Sequence, residues 1–176
     1  MIGATRLDLG QGVLQRTGED LDLAIDGPGF FVLEGDGEEI LTRQGQFQLT
    51  QQGALVSRDG QPVQWDGLRG LLDPNGGAIK VDNRANVIQG GLPIGRLRVV
   101  DVRGIDAIEP NDTGSYRLRP GAEVVASDAI VSQGFVERAN VQTIDELVEL
   151  IAAQRAFDSA AQAFRTIDQS YRRLHQ

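Results

Sequence analysis

Residues 135–176 contain neither glycine nor proline, whereas the residues before them hold all 22 glycines and all six prolines. Glycine and proline mark turns and interrupt helices. The sequence therefore predicts an extended leading segment (1–20), a turn-rich body (21–134) and one uninterrupted C-terminal helix (135–176). The helix is patterned as well. Leu150, Ala153, Phe157, Ala160, Phe164, Ile167, Tyr171 and Leu174 follow one another in steps of three and four, and all eight are apolar or aromatic. A period of 3.5 is the signature of a coiled-coil seam rather than of the broader stripe that a helix lays on a globular core. Phe157 and Phe164 alternate with the small Ala153 and Ala160, a pattern that lets two helices approach closely. These eight residues are the candidate assembly interface. No second helical pattern of comparable length accompanies them, so the seam asks for a partner.

The helix has a marked start and finish. Thr143 and Glu146 fit a capping box, Asp145 and Glu149 lie near the positive end of the helix dipole, and Arg172 and Arg173 lie near the negative end. From Thr143 to Leu174 the helix would run roughly 48 Å at ~1.5 Å per residue. The body has a different rhythm. Short β-prone runs at 21–25, 30–33, 40–43, 46–50, 54–57, 62–65, 78–82, 84–88, 95–102, 116–118 and 124–126 are separated by turn residues, with a loop over 67–75. The fold class expected is mainly β: an antiparallel, hairpin-rich body followed by one long α-helix. Asp26, Gly27, Pro28 and Gly29 form the clearest turn, read as a tight reversal between 21–25 and 30–33.

Composition narrows the function. The net charge of −8 repels nucleic-acid phosphates and acidic lipid, and no apolar run reaches membrane-spanning length. Neither a nucleic-acid partner nor membrane insertion is expected. There is no cysteine, so thiolate nucleophiles, thiolate metal sites and disulfides are excluded. The single histidine, His175, is penultimate in the sequence and poorly placed for a general base. No serine lies in a G-x-S-x-G elbow. Asp20, Asp22 and Asp26 cluster, but Ala24 stands where an EF-hand loop needs a ligand. Catalytic, metal and cofactor sites are all expected to be absent, and the protein is not expected to be an enzyme. The N-terminal stretch MIGATRLDLGQG shows no apolar h-region, so no cleaved signal peptide is expected.

Three ordered stretches carry a resemblance. QGVLQRTGEDLDLAIDGPGFFVL (11–33) resembles the pattern Q-G-x-L-x-x-T-G-x-x-L-D-x-A-I-x-G-x-G-F-F of the flagellar axial proteins, the rod and hook subunits of bacteria. LTRQGQFQLTQQGALVSRDGQPV (41–63) is similar to their T-R-x-G-x-F followed by G-x-L-V-x-x-x-G-x-x-V. QGFVERANVQTIDELVELIAAQRAF (133–157) is similar to their C-terminal Q-G-x-x-E-x-S-N-V and Q-R-A-[YF] signatures, with Ala139 in place of the Ser and Phe157 in place of the more usual Tyr. Residues 66–132 match in outline only, and IGRLRVVDV (94–102) is nearest the proximal-rod type.

The resemblance implies a subunit of the bacterial flagellar basal-body rod. Such subunits are exported by the flagellar type III apparatus without a cleaved signal, and assemble helically with other rod subunits and with copies of themselves into the periplasm-spanning, torque-transmitting shaft. It also implies an N-terminal helix that pairs with the C-terminal one. That helix is not among these residues, and the expectation is a truncated chain, a mis-started reading frame or a shortened paralogue. The rival reading is an autonomous acidic β-rich binding module whose helix docks on its own body.

Overall fold

A computed structural model describes residues 10–67, 70–104, 107–111 and 114–138. Within them lie fifteen strands, all paired antiparallel. Six form the principal sheet in the order β11 (Ile108–Pro110), β12 (Tyr116–Leu118), β4 (Glu39–Thr42), β3 (Phe30–Glu34), β10 (Val99–Arg103) and β13 (Glu123–Ala126). Around it stand β7 (Ile79–Val81), β8 (Asn86–Gln89) and β9 (Leu92–Arg96) as a meander, and β5 (Phe47–Leu49) with β6 (Leu55–Ser57) as a hairpin. Two further pairs join distant sequence: β2 (Leu23–Asp26) with β14 (Ile130–Gln133), and β1 (Leu14–Arg16) with β15 (Phe135–Glu137). The described residues contain no α-helix, and none of their elements is a helix long and apolar enough to cross a membrane. The C-terminal helix expected from the sequence, with its seam, lies outside the described residues.

The uninterrupted apolar run Phe30-Phe31-Val32-Leu33 explains the position of β3. A strand apolar at every position must be covered on both faces. Phe31 and Leu33 point into a large core with Leu23, Ile25, Phe47, Val63 and Leu97, where the Phe31 and Phe47 rings meet edge to face at 5.1 Å. Phe30 and Val32 point the other way, into a second core with Leu41, Val100 and Ile108. Every member of that second core belongs to the six-stranded sheet, so the sheet curls around its own apolar face. Phe30 meets Tyr116 there, edge to face at 5.6 Å.

Four expectations differ from what is observed. The run 95–102 is not one strand: it is shared between β9 and β10, which belong to different sheets. Leu97, fully buried, bridges to Trp65, and the Arg98 N–H donates to the Gln64 carbonyl at 2.9 Å, so the chain changes partners midway. Residues 62–65 make only isolated bridges, to Leu33, Val56 and Leu97, and Pro62 has no N–H to extend a ladder. The Asp26-Gly27-Pro28-Gly29 segment does not close a hairpin, because β2 pairs with β14 while β3 pairs with β4 and β10. It is a corner from one sheet to another, with positive φ at Gly27 (110°) and Gly29 (153°). Finally, residues 135–137 form a strand of the body rather than the beginning of a helix.

Candidate functional site

The two ends of the body meet in an unusually well-fastened junction. β1 and β15 pair in the register Leu14 to Glu137, Gln15 to Val136 and Arg16 to Phe135. On one side of this ladder the Arg138 N–H donates to the Val13 carbonyl at 3.0 Å; on the other, the N–H groups of Thr17 and Gly18 both donate to the Gly134 carbonyl at 2.8 and 3.1 Å. Gly12 is required by closeness: a Cβ there would collide with the Arg138 carbonyl oxygen.

Beneath the ladder sits an ion pair. Arg43, which follows β4, donates through Nε to Glu137 Oε2 at 2.8 Å, with side chains 15% and 8% exposed. The other carboxylate oxygen of Glu137 accepts the Gly12 N–H at 2.6 Å. The remaining donors of Arg43 fan out over the corner. Nη1 reaches the carbonyls of Gly27 (3.2 Å) and Gly29 (3.0 Å), and Nη2 reaches those of Gly27 (3.2 Å) and Ile25 (3.4 Å). The guanidinium also lies 5.9 Å from the Phe30 ring centroid, within cation–π range. Gln11 closes the corner from outside, accepting the Gly27 N–H at 3.0 Å and donating to Asp26 Oδ1 at 3.2 Å. A rigid guanidinium fork suits this task, since it can hold a carboxylate and several carbonyls in one plane.

Gln133 fastens the same region to the meander. Its amide nitrogen donates to the carbonyls of Asp20 (2.7 Å) and Ile79 (2.9 Å), and its amide oxygen accepts the Val81 N–H at 3.1 Å. Gly45, close by, leaves no room for a side chain, because a Cβ would overlap the Leu23 carbonyl oxygen.

The site thus brings together residues from all three stretches that carry the resemblance: Gln11, Gly12, Gly27 and Gly29 from the first, Arg43 from the second, and Gln133 and Glu137 from the third. Of the residues singled out from sequence, Asp26, Gly27, Pro28 and Gly29 are here, as the corner held by Arg43. Leu150, Ala153, Phe157, Ala160, Phe164, Ile167, Tyr171 and Leu174 lie outside the described residues. Asp20, Asp22 and Asp26 do not converge into a cation site; no three acidic or histidine side chains do so among the described residues. Arg43, Gln133 and Glu137 escaped the reading of individual residues. The available signal was that each is a fixed polar position of a motif that carries the resemblance. Chemically, the arrangement is a fastening, with the lone pairs of Glu137 and the donors of Arg43 turned onto the chain's own backbone.

Antiparallel sheets gathered between two paired strands, with a dense polar clasp beside them, define a structural β module. Comparison with known proteins specifies the family. Residues 24–91 match the D1 domain of flagellar hook proteins FlgE/F/G, and residues 132–176 match the C-terminal region of flagellar basal-body rod proteins FlgEFG. The chain is 37% identical over 153 residues to the flagellar basal-body rod protein FlgF of Caulobacter vibrioides, covering 86% of this chain and 62% of that one. It is 31% identical over 166 residues to FlgF of Mesorhizobium japonicum, covering 93% and 69%. It is 33% identical over 186 aligned positions to the rod protein FlgG of Bacillus subtilis, covering 91% and 66%. The chain belongs to the flagellar basal-body rod protein family, and spans about two thirds of the length of these relatives. Arg43 lies in the first matched region and Glu137 in the second, so the clasp is where the two regions meet.

Proposed function

We propose that the protein is a structural subunit of the flagellar basal-body rod, of the proximal type, whose work is mechanical rather than catalytic. The observation that carries this reading is the clasp. It ties together the segments on either side of the body, 10–16 and 135–138, so that a load on one is shared directly with the other. In this reading residues after Arg138 form the assembly helix, with Leu150, Ala153, Phe157, Ala160, Phe164, Ile167, Tyr171 and Leu174 along its seam. The helix packs against rod subunits and copies of the same chain, while the β body holds the seam in register. The protein reaches the basal body by export without a cleaved signal peptide. Its partners are axial subunits of the flagellum.

The test is swimming in a strain carrying the gene in its natural context. Phe157→Ala and Phe164→Ala each delete a large seam side chain, worth ~3–5 kcal/mol if fully buried. Either should reduce motility while the body keeps its thermal transition. A body that melts early while the rod still assembles would instead favour a helix docked on its own body.

A further inference from the structure

Two features at opposite ends of β3 match one another in charge and form. The first is the tip of the β3–β4 hairpin, residues 35–38, which projects past Glu34. Its Gly35 N–H donates to the Glu38 carbonyl at 2.9 Å, Gly37 takes a φ of +89°, and Asp36 and Glu38 are exposed, although Glu38 also faces Arg117 at 3.9 Å. The second is a groove of about 400 Å3 beside the other end of β3, where Ser127 Oγ donates to the Pro28 carbonyl at 2.7 Å. Arg84 and Arg96, both exposed, line one wall of the groove, and residues 127–131 line the other. Among the described lining residues the only acid is Asp128, against two arginines, although Arg96 also faces Asp66 at 3.6 Å. Ile130, at the rim, is 51% exposed, unusual for an isoleucine in a paired strand.

We infer that the groove receives the Gly35–Glu38 tip of a second copy of this chain, with Asp36 and Glu38 facing Arg84 and Arg96, and Ile130 covered by the incoming turn. A tip with two glycines is slim enough to enter a shallow groove, and the opposite charges steer it there. Because tip and groove are different surfaces at opposite ends of one strand, the contact is heterologous. Such contacts propagate from copy to copy instead of closing a dimer. This rests on the self-association proposed above and specifies a surface for it.

The absence of cysteine in the sequence permits a direct test on the whole chain. Asp36→Cys and Ile130→Cys both alter exposed side chains, so neither should unfold the body. Mixing the two single variants under mild oxidation should give a disulfide-linked dimer that neither variant gives alone, and the double variant should give a ladder. Arg84→Glu combined with Arg96→Glu should slow the cross-linking at least tenfold, and adding Glu38→Arg should restore part of the rate. Copies that associate by sedimentation without any 36–130 cross-link would overturn this contact and leave self-association standing. Chains that remain monomeric at all concentrations would overturn both.

Discussion

Arg43 and Glu137 stand 94 positions apart and meet with both side chains largely buried. Removing one partner of such a pair strands the other charge, which costs about 3–5 kcal/mol when burial is complete, whereas replacing both by apolar residues is often nearly neutral. Glu137→Gln should therefore lower the stability of the chain by roughly 3 kcal/mol, and Arg43→Met by a comparable amount. The double variant should lose less than the two single losses added together. Urea unfolding of the four proteins gives that coupling, and strict additivity would mean the clasp is not a unit. A second residue links the β7–β8 turn to pH. Burial pushes the Asp82 carboxyl up. That effect is outweighed by hydrogen bonds from the Asn86 side chain and backbone and from the Arg84 N–H, together with the Arg84 charge, which hold it below its usual value. A lowered folded pKa gives stability above the ordinary carboxylate value, near ~4, and loses it as pH falls through the folded one. The β7–β8 turn should thus loosen as pH falls below the ordinary carboxylate value. NMR titration of its amides would show this, and Asp82→Asn should remove the dependence.

At the level of elements, the sequence announces strands whose partners are near and conceals those whose partners are far. Phe30-Phe31-Val32-Leu33 reads as a buried strand from its composition alone, and β3 with β4 follows from the glycine-rich turn between them. The ladder of β1 with β15 has no local signal, because its strands lie more than a hundred positions apart and are polar or mixed. Gly134, with φ +79°, is the last glycine of the sequence; its N–H donates to the Asp22 carbonyl at 2.7 Å and its carbonyl accepts two N–H groups, which makes it a fixed point. The run 95–102 has a strand's composition throughout, and only the burial of Leu97 against Trp65 reveals the change of sheet. The clasp was legible as motif positions but not as contacts, since spacing cannot say which polar residues of separate motifs face each other. The β15 strand yields a clear prediction. A chain ending after Arg138 should unfold in one cooperative thermal transition, because every described strand is retained. A chain ending after Gly134 loses β15 and Glu137 and leaves Arg43 unpaired; its midpoint should fall by several degrees or the transition should broaden. Equal midpoints for the two chains would mean that β15 contributes nothing to the body.

Over the described residues, the two cores and the four other sheets lie in sequence between β1 and β15, the pair of strands that run side by side. The residues between β1 and β15 are therefore a closed excursion from a continuous path, and what happens within that excursion need not be felt along the path. Adding six Gly/Ser residues between Asp59 and Gly60, both exposed, lengthens the excursion alone; each doubling of a loop costs only about 0.6 kcal/mol. Swimming and thermal midpoint should change little. The same six residues between Gly12 and Val13 would separate the Glu137 carboxylate from the strand it fastens, and motility should be lost; equal tolerance at both places would refute the distinction. The Leu14-to-Glu137 pairing then acts as a drawstring: a chain tied off there can gain or lose outer decoration over generations while the spacing of the segments on either side of the knot stays the same.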